Sequence, residues 1–303
     1  MIDVYSMFMM QIILLCLMLV GVIIVKVRMV DEHSRTSLSD LVLNVFLPCN
    51  ILTSFLGTDR SQLPTLGIML VISLGILALS FLFSLVLYKR VDPQQKKVLL
   101  YGTLISNASF LGISVVESVY GAEGLPYVAV YLVPLRIALL TFGIAIYSGG
   151  IGNLKKMFLH PCLIATYIGL LAMIFGLTPP ALVSRLIVSL GNCTTAVSML
   201  VVGSILASVD PRKILTKIVS YYTFIRLILI PLAVMGILLL FRLDPIVSGV
   251  SVIMAGMPAG ATTSILADKY GADKELASKI VFMSTLLSIV TAPVMAWLLQ
   301  QAL

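Results

Sequence analysis

Apolar stretches of about twenty residues, separated by short polar connectors, run the length of this 303-residue chain. They predict helices near residues 8–26, 38–56, 66–88, 98–118, 125–147, 159–176, 182–207, 217–241, 246–267 and 278–299. Each approaches the ~20 residues that carry a helix across the hydrocarbon. The expected fold is therefore an all-α polytopic membrane protein of ten spans, with connectors too short to form a soluble domain.

Two stretches break this pattern. Asn107, Ser109, Gly112 and Ser114 interrupt span 4, and Gly256, Pro258, Gly260, Thr262 and Ser264 interrupt span 9, where Leu and Val would otherwise stand. Ser114 matches Ser264, and Tyr120-Gly121-Ala122-Glu123 matches Tyr270-Gly271-Ala272-Asp273, at a constant offset of 150. One half of the chain thus repeats the other. The expected division is residues 1–148, a cytoplasmic connector at 149–158, and residues 159–303. Five spans per half force the second half to enter the membrane in the opposite sense, so the repeat is an inverted one. Breaks are expected near residues 109–113 and 258–262, facing each other inside the bundle, because lipid offers no partner to freed backbone groups. Paired broken helices in corresponding positions are the best sequence pointer to a transporter's binding site.

Composition supports the membrane assignment: 60% of residues are hydrophobic and 11% charged, against roughly 25% charged in ordinary soluble domains. Fifteen basic residues fall on the connectors assigned to the cytoplasm and three, Arg60, Arg185 and Arg242, on the external ones. That bias orients the chain with both termini outside a cell (inner) membrane. The start, Met1 to Ser6, lacks a basic region and reads as the beginning of a retained first span. The net charge of +7 is accounted for by these topology signals, which would rest on anionic headgroups, so no nucleic-acid partner is expected. Cys16, Cys49, Cys162 and Cys193 stand singly in apolar runs and read as free thiols, with no metal site.

The segment from Asn107 to Ile113, followed by Tyr120-Gly121, Tyr131 and Arg136, and the segment Met257 to Ala261 with Tyr270-Gly271, resemble the auxin efflux carrier family. The similarity is to its shorter prokaryotic form, which includes malonate and other organic-acid permeases, and it covers the whole chain. The resemblance implies ten helices with spans 4 and 9 crossing at unwound segments, as in bile-acid symporter and sodium–proton antiporter folds. It also implies a scaffold of spans 1, 2, 6 and 7 beside a transport domain of spans 3–5 and 8–10 that moves as an elevator. Ser114 stands where the family usually has Pro, and Thr194-Thr195-Ala196-Val197 where span 7 usually has one. Span 4 is accordingly expected to be less sharply broken than span 9. A homodimer through the scaffold is an expectation by analogy only.

The candidate substrate-binding residues are Asn107, Ser109, Gly112, Ser114, Arg136, Pro258, Gly260 and Thr262. Each broken helix offers a partial positive and a partial negative end at the break. Asn107 supplies donor and acceptor groups, for a ligand or for an interhelical hydrogen bond. Arg136, mid-span, costs at least ~2.5 to 3.5 kcal/mol to insert unpaired, so it needs a partner. It is read either as a planar clamp for a carboxylate or as a cap on freed carbonyls. Arg226 is read as snorkelling to the interface, with lining of the cytoplasmic access path as the alternative. Asn50, Asn192 and Thr195 would line the scaffold side of the cavity or pack between helices. Asp40 and Glu117 are the acids within spans, and neither lies at a crossover. Cation–proton exchange is therefore disfavoured. Coupling to a proton through Glu117, or to sodium through Asn107, hydroxyls and carbonyls, stays open, and no cofactor is expected.

No catalytic motif is present, neither a Gly-x-Ser-x-Gly elbow nor His-Glu-x-x-His, so an enzyme is not expected. The function read from the sequence is secondary transport of a small organic anion, mono- or dicarboxylate, by elevator-type alternating access. An uncoupled anion channel or uniporter, or a transport-dead membrane sensor, are the alternatives.

Overall fold

The computed structural model describes residues 4–55, 60–109, 111–148, 159, 161–207, 214–260 and 262–302; the predicted connector 149–158 lies outside them. Among the described residues all regular structure is helical apart from one isolated bridge between Ser106 and Ala259. Among the described residues six helical runs are long and apolar enough to cross a membrane: Glu32–Thr53, Leu63–Leu87, Leu111–Tyr147, Ala181–Ser204, Lys217–Phe241 and Lys274–Ala302. Ile12–Lys26, Pro161–Phe175 and Pro245–Ala255 are shorter apolar helices. This is an all-α polytopic membrane protein. Its outer surface carries bare apolar side chains such as Val71, Leu182 and Leu240, while serines and threonines such as Ser80, Thr103, Ser251 and Ser284 are buried. That inversion suits a chain whose solvent is lipid.

Helix boundaries follow local chemistry. Asp92 accepts from the Gln94 amide at 3.0 Å and starts Pro93–Leu104; Asp244 accepts from the Ile246 amide at 2.9 Å and starts Pro245–Ala255. In each case Pro follows the capping Asp, where its missing N–H is no loss. Widened π-type turns at Val42–Phe46 and Ile225–Leu229 each end two residues before a proline, Pro48 and Pro231. A proline cannot donate to the carbonyl four residues back and its ring crowds that turn, so the helix opens there instead of breaking.

Two groups of helix pairs stand out in the packing, with further contacts between them, as of Val4–Lys26 with Leu111–Tyr120 and of Leu47–Phe55 with Leu125–Ala138. The helix Val4–Lys26 lies along Ala181–Leu206, and Pro161–Phe175 along Leu47–Phe55. The first contact depends on Gly203, because a methyl there would overlap the Met18 carbonyl. In the second group Leu63–Leu87 packs on Leu125–Ala138, and Lys274–Ala302 packs on Lys217–Phe224 and Pro245–Ala255. Gly121 and Gly271, the matched residues of the sequence repeat, both take left-handed backbone (φ of 59° and 66°), a conformation that glycine adopts at least cost.

Candidate functional site

The helix Pro93–Leu104 stops because Ile105 turns to extended backbone, and a helix resumes at Leu111. The helix Pro245–Ala255 likewise ends at Gly256, and the next begins at Thr262. The two gaps cross. The Asn107 amide donates to the Pro258 carbonyl at 2.7 Å, and the Gly260 amide donates to the Ile105 carbonyl at 3.0 Å. Ser106 and Ala259 therefore face each other as an antiparallel pair between these bonds. The Ala259 amide is satisfied by the Ser284 hydroxyl at 3.1 Å. Backbone groups freed by the two breaks are thus paired largely with each other, as a site without lipid-accessible water demands.

One expectation is corrected by this geometry. The first interruption spans Ile105 to residue 110, ahead of the predicted 109–113, so Asn107 lies within it and Gly112 and Ser114 belong to the opening turns of Leu111–Tyr120. It is also the less sharply broken of the two, as expected, since Asn107–Ser109 form a 3-10 turn within it whereas residues 256–260 form no helix. Pairing across the crossing sets the break.

Asn107 is buried and Ser109 half-buried. Gly112 lies against Met254 and Met257. The Ser114 hydroxyl is 3.0 Å from that of Thr195 on Ala181–Leu206. A residue of the predicted substrate site and one of the predicted opposite wall are thus brought together. Thr262 accepts from the Tyr101 hydroxyl at 2.8 Å, beside a cluster in which Tyr101 and Tyr270 flank Tyr147. Asn50 is half-buried against Gly191, whereas Asn192 is exposed. Glu117 lies on the exposed side of Leu111–Tyr120, apart from the buried crossing.

Arg136 is buried near Cys162, and neither terminal guanidinium nitrogen has a partner among the described residues. Arg226 overturns its reading as a snorkelling residue. It is 3% exposed, ringed by Tyr88, Tyr131 and Tyr222, and its Nε has no partner among the described residues. The guanidinium lines a small cavity together with Ser73, Ser80, Ser106 and Tyr131, directly beside the crossing. The ion pairs among the described residues are Arg35–Glu32 and Lys279–Glu275, so neither buried arginine is matched by a carboxylate there. Sequence reasoning missed Arg226 because it lies towards the polar end of an apolar run. The signal that could have found it is Tyr222 one turn earlier, an aromatic on the same helix face.

The sequence model of the membrane transport protein family matches residues 6–153 and 150–296. An uncharacterized transporter of Methanothermobacter thermautotrophicus is 26% identical over 92% of this chain and 94% of its own length. A "Putative malonate transporter" of Rhizobium meliloti is 26% identical over 50% of this chain and 47% of its own. The uncharacterized transporter YfdV of Escherichia coli is 22% identical over 92% and 93%. The matches run through both crossing segments and nearly to both ends, and the chain belongs to the membrane transport protein family, that of the auxin efflux carriers.

Proposed function

We propose that this transporter moves a small organic anion, a mono- or dicarboxylate, across the cell membrane by elevator-type alternating access, with the anion bound at the crossing of residues 105–110 and 256–261. The observation that carries this reading is the backbone pairing of Asn107 with Pro258 and of Gly260 with Ile105. It joins two interrupted helices at one buried point, where their ends present partial charges to a ligand. Asn107, Ser109, Gly112, Ser114, Pro258, Gly260 and Thr262 surround that point, and Arg136 contributes a buried positive charge. A ten-span inverted repeat is supported by the matched Gly121 and Gly271 and by the paired Asp92-Pro93 and Asp244-Pro245 starts. A scaffold of spans 1, 2, 6 and 7, with Asn50 and Thr195 on its inner wall and the exposed Asn192 off it, is supported by the packing of Val4–Lys26 on Ala181–Leu206 and of Pro161–Phe175 on Leu47–Phe55. The relative named for malonate makes a dicarboxylate the first substrate to try.

The test is uptake of radiolabelled malonate and acetate into proteoliposomes, with proton and sodium gradients imposed separately. Saturable uptake driven by one gradient, and competition between the two acids, is the expected result. Flux that rises linearly with concentration would point to a channel; binding without flux would point to a sensor.

A further inference from the structure

We infer that the cation which receives the carboxylate is Arg226, in the cavity beside the crossing; this rests on the proposed transport of an organic anion. Burying a guanidinium without a carboxylate is expensive, and arginine does not escape the cost by losing its proton. The groups around Arg226 are neutral hydroxyls of Tyr88, Tyr131 and Tyr222, with no acidic residue paired to it among the described residues. Among the described residues its charge is therefore left without a counter-ion, which an entering anion would supply. The cavity is built for one. Besides Arg226 its wall includes Ser80, Ser106 and Tyr131 among the apolar Ile76, Leu77, Leu104 and Leu135, while the Ser73 hydroxyl is already committed to the Leu70 carbonyl at 2.8 Å. The guanidinium offers only donors and each hydroxyl can donate, so the polar part of the lining suits an acceptor-rich ligand such as a carboxylate.

Size and position narrow the ligand further. The cavity holds about one water-sized group in this conformation, less than a carboxylate occupies, so the side chains around Arg226 must shift to admit even the carboxylate head. Ser106 belongs both to the cavity wall and to the crossing strands. A carboxylate on Arg226 therefore places the remainder of the substrate against Asn107 and the helix ends. Arg226 also lies in the widened turn Ile225–Leu229 ahead of Pro231, where the helix geometry is least regular and a side chain is aimed differently from its neighbours.

The experiment is binding of malonate, acetate and chloride, as sodium salts at matched ionic strength, to the purified full chain in detergent, read by calorimetric titration. Wild-type protein is expected to bind both acids, with affinity falling at least tenfold in Arg226→Gln. Arg226→Lys is expected to lose as much, because an ammonium lacks the planar fork. Folded Arg226→Gln that binds malonate within twofold of wild type overturns the assignment. Where that variant does not fold, Ser106→Ala and Tyr131→Phe decide: each is expected to weaken malonate at least threefold, and no change in either overturns it. Binding of chloride alone, without competition from either acid, also overturns it. Asn107→Ala separates the two levels of the argument. If it abolishes malonate binding while the Arg226 variants do not, the crossing remains the site and Arg226 is excluded; if wild type binds neither acid, both readings fall.

Discussion

The Ser114 and Thr195 hydroxyls meet at 3.0 Å, joining the helix after the first break to Ala181–Leu206, a helix of the first packing group. If the two groups slide during transport, this bond exists in one conformation and not in the other. An interaction made in a single state biases the equilibrium by its own free energy. Interhelical hydrogen bonds in membranes contribute about 0.6 kcal/mol, close to a threefold change in population. Thr195→Val is therefore expected to shift accessibility of a reporter cysteine at the crossing about threefold. Labelling rates unchanged from wild type would mean that the bond does not distinguish the states.

The crossing depends on close backbone approach at Gly260. A methyl there would lie 3.0 Å from the Ile105 carbonyl oxygen and 3.3 Å from that of Ser106, both backbone atoms that cannot swing aside. Gly260→Ala is expected to cost about 1 to 3 kcal/mol, the usual range for overpacking, and to abolish uptake. Gly256→Ala is the control, because its nearest neighbours stand at 3.5 Å. Equal loss of thermal stability in the two variants would show that the crossing is not tightly packed.

Both broken stretches were legible in the sequence, since Gly, Pro, Asn and Ser are conspicuous where a span otherwise needs apolar side chains. The matched Tyr-Gly pairs were legible too, and each glycine takes the left-handed backbone that only glycine adopts freely. The position of the first break was not, because Ile105 and Asn107 are fixed by partners some 150 residues away rather than by local propensity. Arg226 was misread for the same reason. Its enclosure comes from Tyr88 and Tyr131 on other helices, which no pattern within residues 217–241 records.

The capping aspartates give a local test of how the broken helices are held. Asp92 and Asp244 each satisfy two amides at the start of the first half-helix. Replacing either by Ala is expected to lower stability by about 0.5 to 2 kcal/mol, and Asn should recover most of it, because the amide oxygen still accepts. Thermal unfolding in detergent reads this directly. A loss with Asn as large as with Ala would assign the effect to the charge at the helix start rather than to the cap.

Arg136 presents a different case from Arg226. It is buried near Cys162, both terminal nitrogens lack partners among the described residues, and it does not line the cavity beside the crossing. Leaving a cation at such depth costs at least ~2.5 to 3.5 kcal/mol, so its presence must be compensated by a ligand or by structure. Arg136→Ala removes that cost. If the residue holds substrate, the variant inserts and folds as well as wild type but loses uptake, and Arg136→Lys loses it as well because the fork is gone. If it holds the helix Leu125–Ala138 against Pro161–Phe175, folded yield and uptake fall together, and Lys restores part of both by keeping the charge and most of the volume. The measurement is uptake normalised to monodisperse protein recovered in detergent. Wild-type uptake in well-folded Arg136→Ala would remove it from the anion site and leave Arg226, Asn107 and the paired helix ends to hold the ligand.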